Sequence, residues 1–542
     1  MTDRLRAELE RVANLLGGDV VFTLERPRDP AHGDLATNLA MQLARRDRRN
    51  PRAVAEEVVG LIDRDAAMLD SIDVAGPGFI NFRLAADSLA RDFDAILALG
   101  GRFGRSDSGS GRRVNVEFVS ANPTGPLHVG HGRGAALGDG IAALLEWTGH
   151  EVTREFYVND AGVQIARLAE SVWARVQQAV GRDAAIPDGG YHGDYLKETA
   201  AALLAEHGVG FADLAPDEGI ARCREAVLAA QRAEQDATLA EFGVRFDVIA
   251  SEQAVYDRGD IAAMLARFDQ AGLTFDEGGA LWLRTTAMGD DRDRVLRKSD
   301  GTFTYLAPDV AYHLDKFRRG FSHAIDVWGA DHHGYIARMQ AALTALGLPA
   351  DWLDVVLVQL VRVVRGGEEV KMSKRSGEFV TLRDLYEEVG VDAARYWFMM
   401  RRGDSHLVFD IDLAKSRSDE NPVYYVQMAH ARMCGILRNA PATAETDAGI
   451  DVAMLEPTDQ ELIKALLQFP SVVDHAALGR EPHRITSYCE DLARTAHAWY
   501  HGSRVLGEPP ALERSRLLLA RGVRQVFANA LAILGIAAPE RM

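Results

Sequence analysis

Apolar residues recur every three or four positions in MTDRLRAELERVANLL and again in LATNLAMQLARR (35–46), and both stretches are predicted as amphipathic helices. IDVAGPGFINFRL (72–84) has a strand-like pattern, with a turn at Gly76, Pro77 and Gly78. The segment GRFGRSDSGSGRR (101–113) is rich in glycine, serine and charge and reads as a linker. A strand is predicted directly after it, because Val114, Val116 and Phe118 alternate with Asn115 and Glu117. The polar loop SANPTGPLHVG and a Gly/Ala-rich helix through GAALGDGIAALLEW follow, an order that opens a doubly wound α/β domain. Residues from about 155 to 285 look mainly helical and read as an insertion. The α/β rhythm resumes in HAIDVWGAD and in VVLVQLVRVV (355–364), a near-continuous apolar run of the kind found in buried parallel strands. From Thr381 the pattern turns helical. TLRD offers a Thr cap with Asp384 three residues on, a helix is predicted through LYEEVGVDAARYWFMMRR, and helical spacing continues to Met542 as a bundle.

The composition bounds what such a chain can do. Its 542 residues carry a formal net charge of −18, and its hydrophobic and charged fractions are those of an ordinary globular protein. Cys223, Cys434 and Cys489 lie far apart with no C-x-x-C pair, which argues against a disulfide scaffold and a zinc ribbon. No run approaches the ~18 apolar residues of a membrane span, and the N-terminal stretch lacks the apolar core of a secretion signal, so a cytoplasmic location is expected. The acidic total leaves room for a nucleic-acid partner, because phosphate contacts depend on the local field at the docking face. RRDRRNPR, with Arg45, Arg46, Arg48, Arg49 and Arg52, is the clearest basic run. It reads either as such a face or as a solvated helix end.

Two short segments carry candidate chemistry. In PTGPLHVGH, His128 and His131 straddle Gly130 at a helix start, which gathers imidazoles and backbone N–H groups where helix dipoles favour an anionic phosphate. A metal pair would need a third ligand nearby. A dinucleotide fingerprint is formally met by Gly130, Gly132 and Ala135, but it belongs directly after a strand, and roughly ten residues intervene. No G-x-x-x-x-G-K-[ST] occurs, which excludes a P-loop. The second segment, Lys371-Met372-Ser373-Lys374-Arg375, sets three cations after a strand and the turn Gly366-Gly367. By itself it is equally a solvated basic loop. Paired with the histidine loop it forms a clamp for phosphate charge.

HVGH and KMSKR together resemble the two signatures of class I aminoacyl-tRNA synthetases, written HIGH and KMSKS. EFVSANPTGPLHVGHGRGAALGD, YVNDAGVQIARLAESV, FTYLAPDVAYH and DENPVYYVQMAHARM resemble the arginyl-tRNA synthetase family in particular. So do DPAHGDLATNLAMQLAR, GPGFINFRL and VDAARYWFMMRR, and the likeness spans nearly the whole chain. It implies a multidomain α/β enzyme: an N-terminal α+β domain over 1–108 that contacts tRNA, a doubly wound Rossmann-type catalytic domain over 109–380, and an all-α anticodon-binding bundle over 381–542. The implied reaction joins L-arginine to its tRNA with ATP and Mg²⁺, by way of an arginyl-adenylate. The implied enzyme is a monomer with no tightly bound metal and no membrane contact. An oxidoreductase would leave KMSKR without a task, and a non-catalytic tRNA-binding relative would not keep both motifs.

The resemblance also implies roles for single residues. Ser120 and Asn122 would bind the amino acid's α-amino end, and Tyr305 and Asp309 its guanidinium, with Asp309 as a helix N-cap being the structural alternative. Glu252 would supply a second pocket carboxylate, and His332 stands where other members carry Gln. His128 and His131 would stabilise the α-phosphate, and Gly130 would let adenine approach. Met372 and Ser373 would line the ATP site, while Lys374 and Lys371 neutralise pyrophosphate. Arg45, Arg46, Arg48 and Arg49 would face tRNA.

Overall fold

The structure, a computed structural model, describes every residue except 1, 19, 26, 28, 30, 31, 161, 371–379 and 442–448. The first unit comprises α1 (Thr2–Leu15), β1 (Leu24–Glu25), β2 (Leu35–Thr37), α2 (Leu39–Asp47), α3 (Pro51–Leu61), β3 (Leu69–Ala75), β4 (Phe79–Leu84) and α4 (Ala86–Leu99). Its strands form an antiparallel sheet in the order β1-β2-β4-β3, backed by buried Leu39, Leu43, Val54 and Val58. The helix predicted from Leu35 begins only at Leu39. Leu35–Thr37 pair with Ile80–Phe82 instead, and the Asp34 carboxylate accepts the Leu84 N–H at 2.9 Å, so the ladder claims these residues. The segment read as a linker is seated: Phe103 is buried and stacks on Phe469, and the Ser106 hydroxyl donates to Asp474.

The central sheet opens with β5 (Arg113–Glu117), α5 (Val129–Trp147), β6 (Glu151–Val158), α6 (Val163–Ala179), α7 (Asp194–His207), α8 (Pro216–Glu241) and β7 (Val248–Ser251). After α9 (Glu252–Asp257) and α10 (Asp260–Gln270), the strands β8 (Thr274–Glu277), β9 (Ala280–Leu283) and β10 (Arg294–Arg297) make a separate antiparallel sheet. The chain returns through α11 (Leu306–Arg318), β11 (His323–Gly329), α12 (Ile336–Ala345) and β12 (Leu353–Val358). All five central strands are parallel, in the order β12-β11-β5-β6-β7. The region expected as a helical insertion over 155–285 thus also supplies β7, an edge of this sheet, because four residues there pair with the end of β6.

The apolar run VVLVQLVRVV is two strands, not one. It divides after Val358, and β13 (Val361–Arg365) leaves for a fourth sheet with β14 (Glu368–Glu369) and β15 (Leu407–Asp410). The Thr381–Asp384 capping box is present, but the helix after it breaks into α13 (Leu382–Val389) and α14 (Val391–Met399), because Gly390 takes φ 87°. After α15 (Ile411–Lys415), the bundle is α16 (Pro422–Asn439), α17 (Pro457–Leu466), α18 (Phe469–Gly479), α19 (His483–Gly502) and α20 (Pro510–Ile533). Arg395 joins it to the sheet: its buried guanidinium donates to Asp139 on α5 and to the carbonyls of Phe242 and Leu534.

The alternation read in β5 does not separate core from solvent. Asn115 and Glu117 are buried too, because α11 covers their face. Lys316 lies fully buried and donates to Glu117 at 2.5 Å and to Asp326 at 3.0 Å. His313 bonds the other oxygen of Asp326 at 2.6 Å, while Tyr312 and Arg319 both donate to Glu155 at 2.8 Å. Residues three or four apart on one helix thereby meet carboxylates from β5, β6 and β11. Burial alone would depress the Lys316 ammonium, but Asp326, Glu117 and Glu155 hold its pKa above the usual range. Lys316→Met would strand two buried carboxylates, and breaking such a group commonly costs ~3–5 kcal/mol. Urea unfolding of the full-length chain should show that loss; an unchanged midpoint would remove the ammonium from the scaffold.

Candidate active site

The sheet order reverses beside β5, and ligands in doubly wound folds sit outside the carboxyl ends of the strands at that point. The loops after β5, β6, β7 and β11 all emerge there. His128 is the N-cap of α5, and its Nδ1 accepts the N–H groups of Gly130 at 3.1 Å and His131 at 3.4 Å. His131 reciprocates, its Nδ1 accepting the His128 N–H at 3.2 Å, and the two rings stack with centroids 3.7 Å apart. With both Nδ1 atoms accepting, each neutral ring carries its proton on Nε2. A Cβ at Gly130 would lie 3.0 Å from Cε1 of His128, so the glycine leaves room for the capping ring itself.

The loop after β5 is strained. Val119 and Ser120 take φ 69° and 40°, a left-handed pair that non-glycine residues rarely adopt. Two bonds hold it: the Ser120 hydroxyl donates to Glu117 at 2.9 Å and accepts the Tyr157 N–H at 3.2 Å. Asn122 donates to Gln164 at 2.9 Å.

Two carboxyl groups, Asp309 and Glu252, stand beyond this loop. The Asp309 carboxylate, on the face of α11 that also carries His313 and Lys316, accepts the Tyr335 hydroxyl at 2.7 Å. Asp309 is therefore not the helix cap; the N-cap position belongs to Tyr305, three-quarters exposed. Glu252 opens α9 behind its cap, Ser251, and is buried. Its Oε2 and the Tyr157 hydroxyl have no hydrogen-bond partner among the described residues. Burial, and then Asp309 and Asp160, push the Glu252 carboxyl up to about 7. Burial likewise lifts Asp309 to about 6, against the pull of the Tyr335 hydrogen bond. Both carboxyls resist ionising, and a cation placed beside them would lower both.

His332 lies exposed in the turn after β11, 3.7 Å from Asp331. Lys371, Met372, Ser373 and Lys374 fall outside the described residues. Arg46 is tied to Asp47 and the Leu16 carbonyl, and Arg49 to Glu57, whereas Arg45 and Arg48 are exposed and make no ion pair among the described residues. Glu117, His313 and Asp326 are close enough to ligate a metal, but the Lys316 ammonium already bonds both carboxylates and supplies the charge. The sequence reading missed Glu117, Tyr157, Lys316 and Tyr335. The 309–313–316 spacing on α11 was a usable signal for Lys316, while Tyr335 reaches Asp309 from another strand's loop, and no local pattern marks it.

Comparison with known proteins identifies this architecture. Residues 92–407 match the model of the class I tRNA synthetase (R) catalytic domain, so the fold and the histidine-capped helix are those of a class I aminoacyl-tRNA synthetase. Residues 1–84 match the arginyl-tRNA synthetase N-terminal domain, and residues 426–542 the DALR anticodon-binding domain. An arginine–tRNA ligase of Desulforudis audaxviator is 51% identical, covering 96% of this chain and 93% of its own. One of Geobacillus kaustophilus is 50% identical over 96% and 94%. The arginyl-tRNA synthetase structure of Thermus thermophilus superposes with a TM-score of 0.79 at 25% identity, covering all of both chains. The chain belongs to the arginyl-tRNA synthetase family.

Gly130→Ala tests the histidine geometry. The added methyl would crowd the His128 ring, which must give by a few tenths of an ångström against its stack, and a shift of this kind beside reacting groups costs up to roughly tenfold in rate. The arginylation kcat should fall accordingly while thermal unfolding barely moves; an unchanged kcat would show that the stacked pair is not needed.

Proposed function

We propose that the space between Glu252 and Asp309 is where this arginine–tRNA ligase holds the guanidinium of its amino acid. The reaction is the ATP-dependent attachment of L-arginine to its cognate tRNA, with AMP and pyrophosphate released. What carries the reading of the pocket is the buried oxygen of Glu252, unpartnered among the described residues, set against a second raised carboxyl. A guanidinium brings a fork of N–H donors and a charge that never titrates, so it can serve both carboxylates at once. Lysine offers a point charge without the fork.

The adenylation step belongs to the same reading. The strained loop at Ser120 and Asn122 faces the amino-acid end, and the arginine carboxylate attacks the α-phosphorus of Mg²⁺-bound ATP in line. The Nε2–H groups of His128 and His131 donate to the phosphate as charge builds, with the positive end of α5 behind them. Lys374, with Lys371, takes the charge of the departing pyrophosphate, and Met372 and Ser373 flank the nucleotide. The terminal ribose of tRNA then attacks the adenylate carbonyl. Positioning and charge stabilisation do the catalysis, and no covalent enzyme intermediate is required. Within this reading the first unit, residues 1–108, contacts tRNA, and the bundle after 381 reads the anticodon. His332 sits at the rim, and the enzyme works as a cytoplasmic monomer.

Proton linkage tests the pocket. Free, Glu252 and Asp309 keep their protons to about pH 7 and about pH 6; with arginine bound, both are ionised. Below pH 7, binding must therefore expel protons, so affinity rises with pH through this window and levels off above it. The KM for arginine should be roughly 20-fold higher at pH 6 than at pH 8. Calorimetry in buffers of differing ionisation heat should show proton release, and Glu252→Gln should flatten the upper part of the profile and weaken binding. A KM for arginine independent of pH would refute the pocket. For the tRNA face, Arg45→Ala with Arg48→Ala should flatten the dependence of tRNA binding on log salt by about one to two units of slope. Arginine affinity should stay the same, and an unaltered slope returns this run to a solvated helix end.

A further inference from the structure

Arg133 lies two residues beyond His131 on α5, yet its side chain is fully buried. No carboxylate bonds it among the described residues. Its guanidinium instead donates to three backbone carbonyls: Gln359 at 2.9 Å, Ser405 at 2.8 Å and Arg402 at 2.8 Å. Burying a cation with no carboxylate bonded to it is costly, and burial pulls its pKa down to about 10 against the opposing charge of Asp404. Such a group persists where its geometry cannot be supplied otherwise. Three carbonyls converging from two chain segments need a planar, multidentate donor.

Those carbonyls mark the point where the parallel strands β13 and β15 begin. Gln359 lies just before β13, Ser405 and Arg402 lie in the turn that leads into β15, and the strands pair from Val361–Leu407 onward. From β13 and β14 the chain runs on to residues 371–379. On the far side of that segment the Leu382 N–H donates to the Leu127 carbonyl at 2.8 Å, and Thr381 bridges to His128. Gly132 completes the contact, since a Cβ there would lie 2.5 Å from Leu382 Cδ1. The start of α5 therefore holds the chain on both sides of the KMSKR segment: by backbone bonds at its exit, and through Arg133 at the sheet that leads into it.

We propose that Arg133 is a positioning residue for the adenylation step, setting the β13–β15 sheet, and with it the chain that leads to Lys371 and Lys374, against the imidazoles of His128 and His131. This rests on the reading of both motifs given above. Arg133 touches no substrate in this scheme; it aligns two groups that must act together on one polyphosphate.

The test is a cycle in the full-length enzyme with Arg133→Met, Arg133→Lys and Lys374→Ala. Arg133→Met should lower the arginylation kcat roughly 10–100-fold, as expected for displaced catalytic groups, with the KM for arginine within about twofold. Arg133→Lys, which keeps the charge and part of the donor set, should recover some of that loss. If Arg133 acts through the lysine segment, its removal in the Lys374→Ala background should cost less than about threefold, because coupled residues are not additive. A merely structural arginine would multiply its cost through both backgrounds, and that outcome overturns the proposal. So does a folded Arg133→Met enzyme with normal kcat. If Arg133→Met does not fold, Arg133→Lys takes its place in the cycle: a cost that shrinks in the Lys374→Ala background supports the proposal, and a normal kcat or a multiplied cost overturns it. A silent Lys374→Ala would bring down the reading of KMSKR itself, and the proposal with it, whereas a costly Lys374→Ala with multiplied costs would sink the proposal alone.

Discussion

One buried ammonium holds the site side of this enzyme in register. Lys316 donates to Glu117 on β5 and Asp326 on β11, and its neighbours on α11 bond Asp326 and Glu155. Each carboxylate would be costly in a dry interior by itself, and together they would repel. The helix supplies cations and donors at helical spacing, so the sheet tolerates a polar face only where α11 lies on it. Docking of α11 and placement of Asp309 are therefore one event, since Asp309 stands on the same face.

Glu117 then transmits this order to the loop after β5. One oxygen takes the Lys316 ammonium and the other the Ser120 hydroxyl, which keeps Val119 and Ser120 in a left-handed conformation they would not hold unaided. The pocket carboxyls resist ionisation for a related reason. Glu252 and Asp309 are brought together by two elements pinned elsewhere, α9 by its Ser251 cap and α11 by the network, so neither can relax away from the other. In the function proposed above, such a site would take a permanent cation, and the fork of a guanidinium would distinguish it from an ammonium.

A second buried cation works by a different rule. Arg133 has carbonyls where Lys316 has carboxylates, and Arg395 has one carboxylate and two carbonyls. Arg133 and Arg395 fasten α5, whose first turn bears the histidines, to the β13–β15 sheet and to the C-terminal bundle respectively. The histidine pair thus stands at the end of a helix gripped along its length by distant parts of the chain.

Much of this was legible in the residues alone. Helical and strand periods are local, so the α/β opening at Val114, the Thr381 cap, the Gly76–Gly78 turn and the terminal bundle could be read directly, and the two motifs pointed to the family because they carry chemistry in contiguous residues. Pairing partners are not local. Leu35–Thr37 looks helical until β4 claims it, VVLVQLVRVV looks like one strand until its halves join different sheets, and the helix-rich stretch over 155–285 conceals β7, which only the edge of β6 makes a strand. The same limit governed the site. His128, His131 and Asp309 were nameable from their segments, but Tyr335, Tyr157 and the charges of Lys316 and Arg133 acquire a role only when the fold removes water around them. Sequence determined which groups are available. Tertiary structure decided which of them are buried together, and burial sets the strength of every charge interaction in the site.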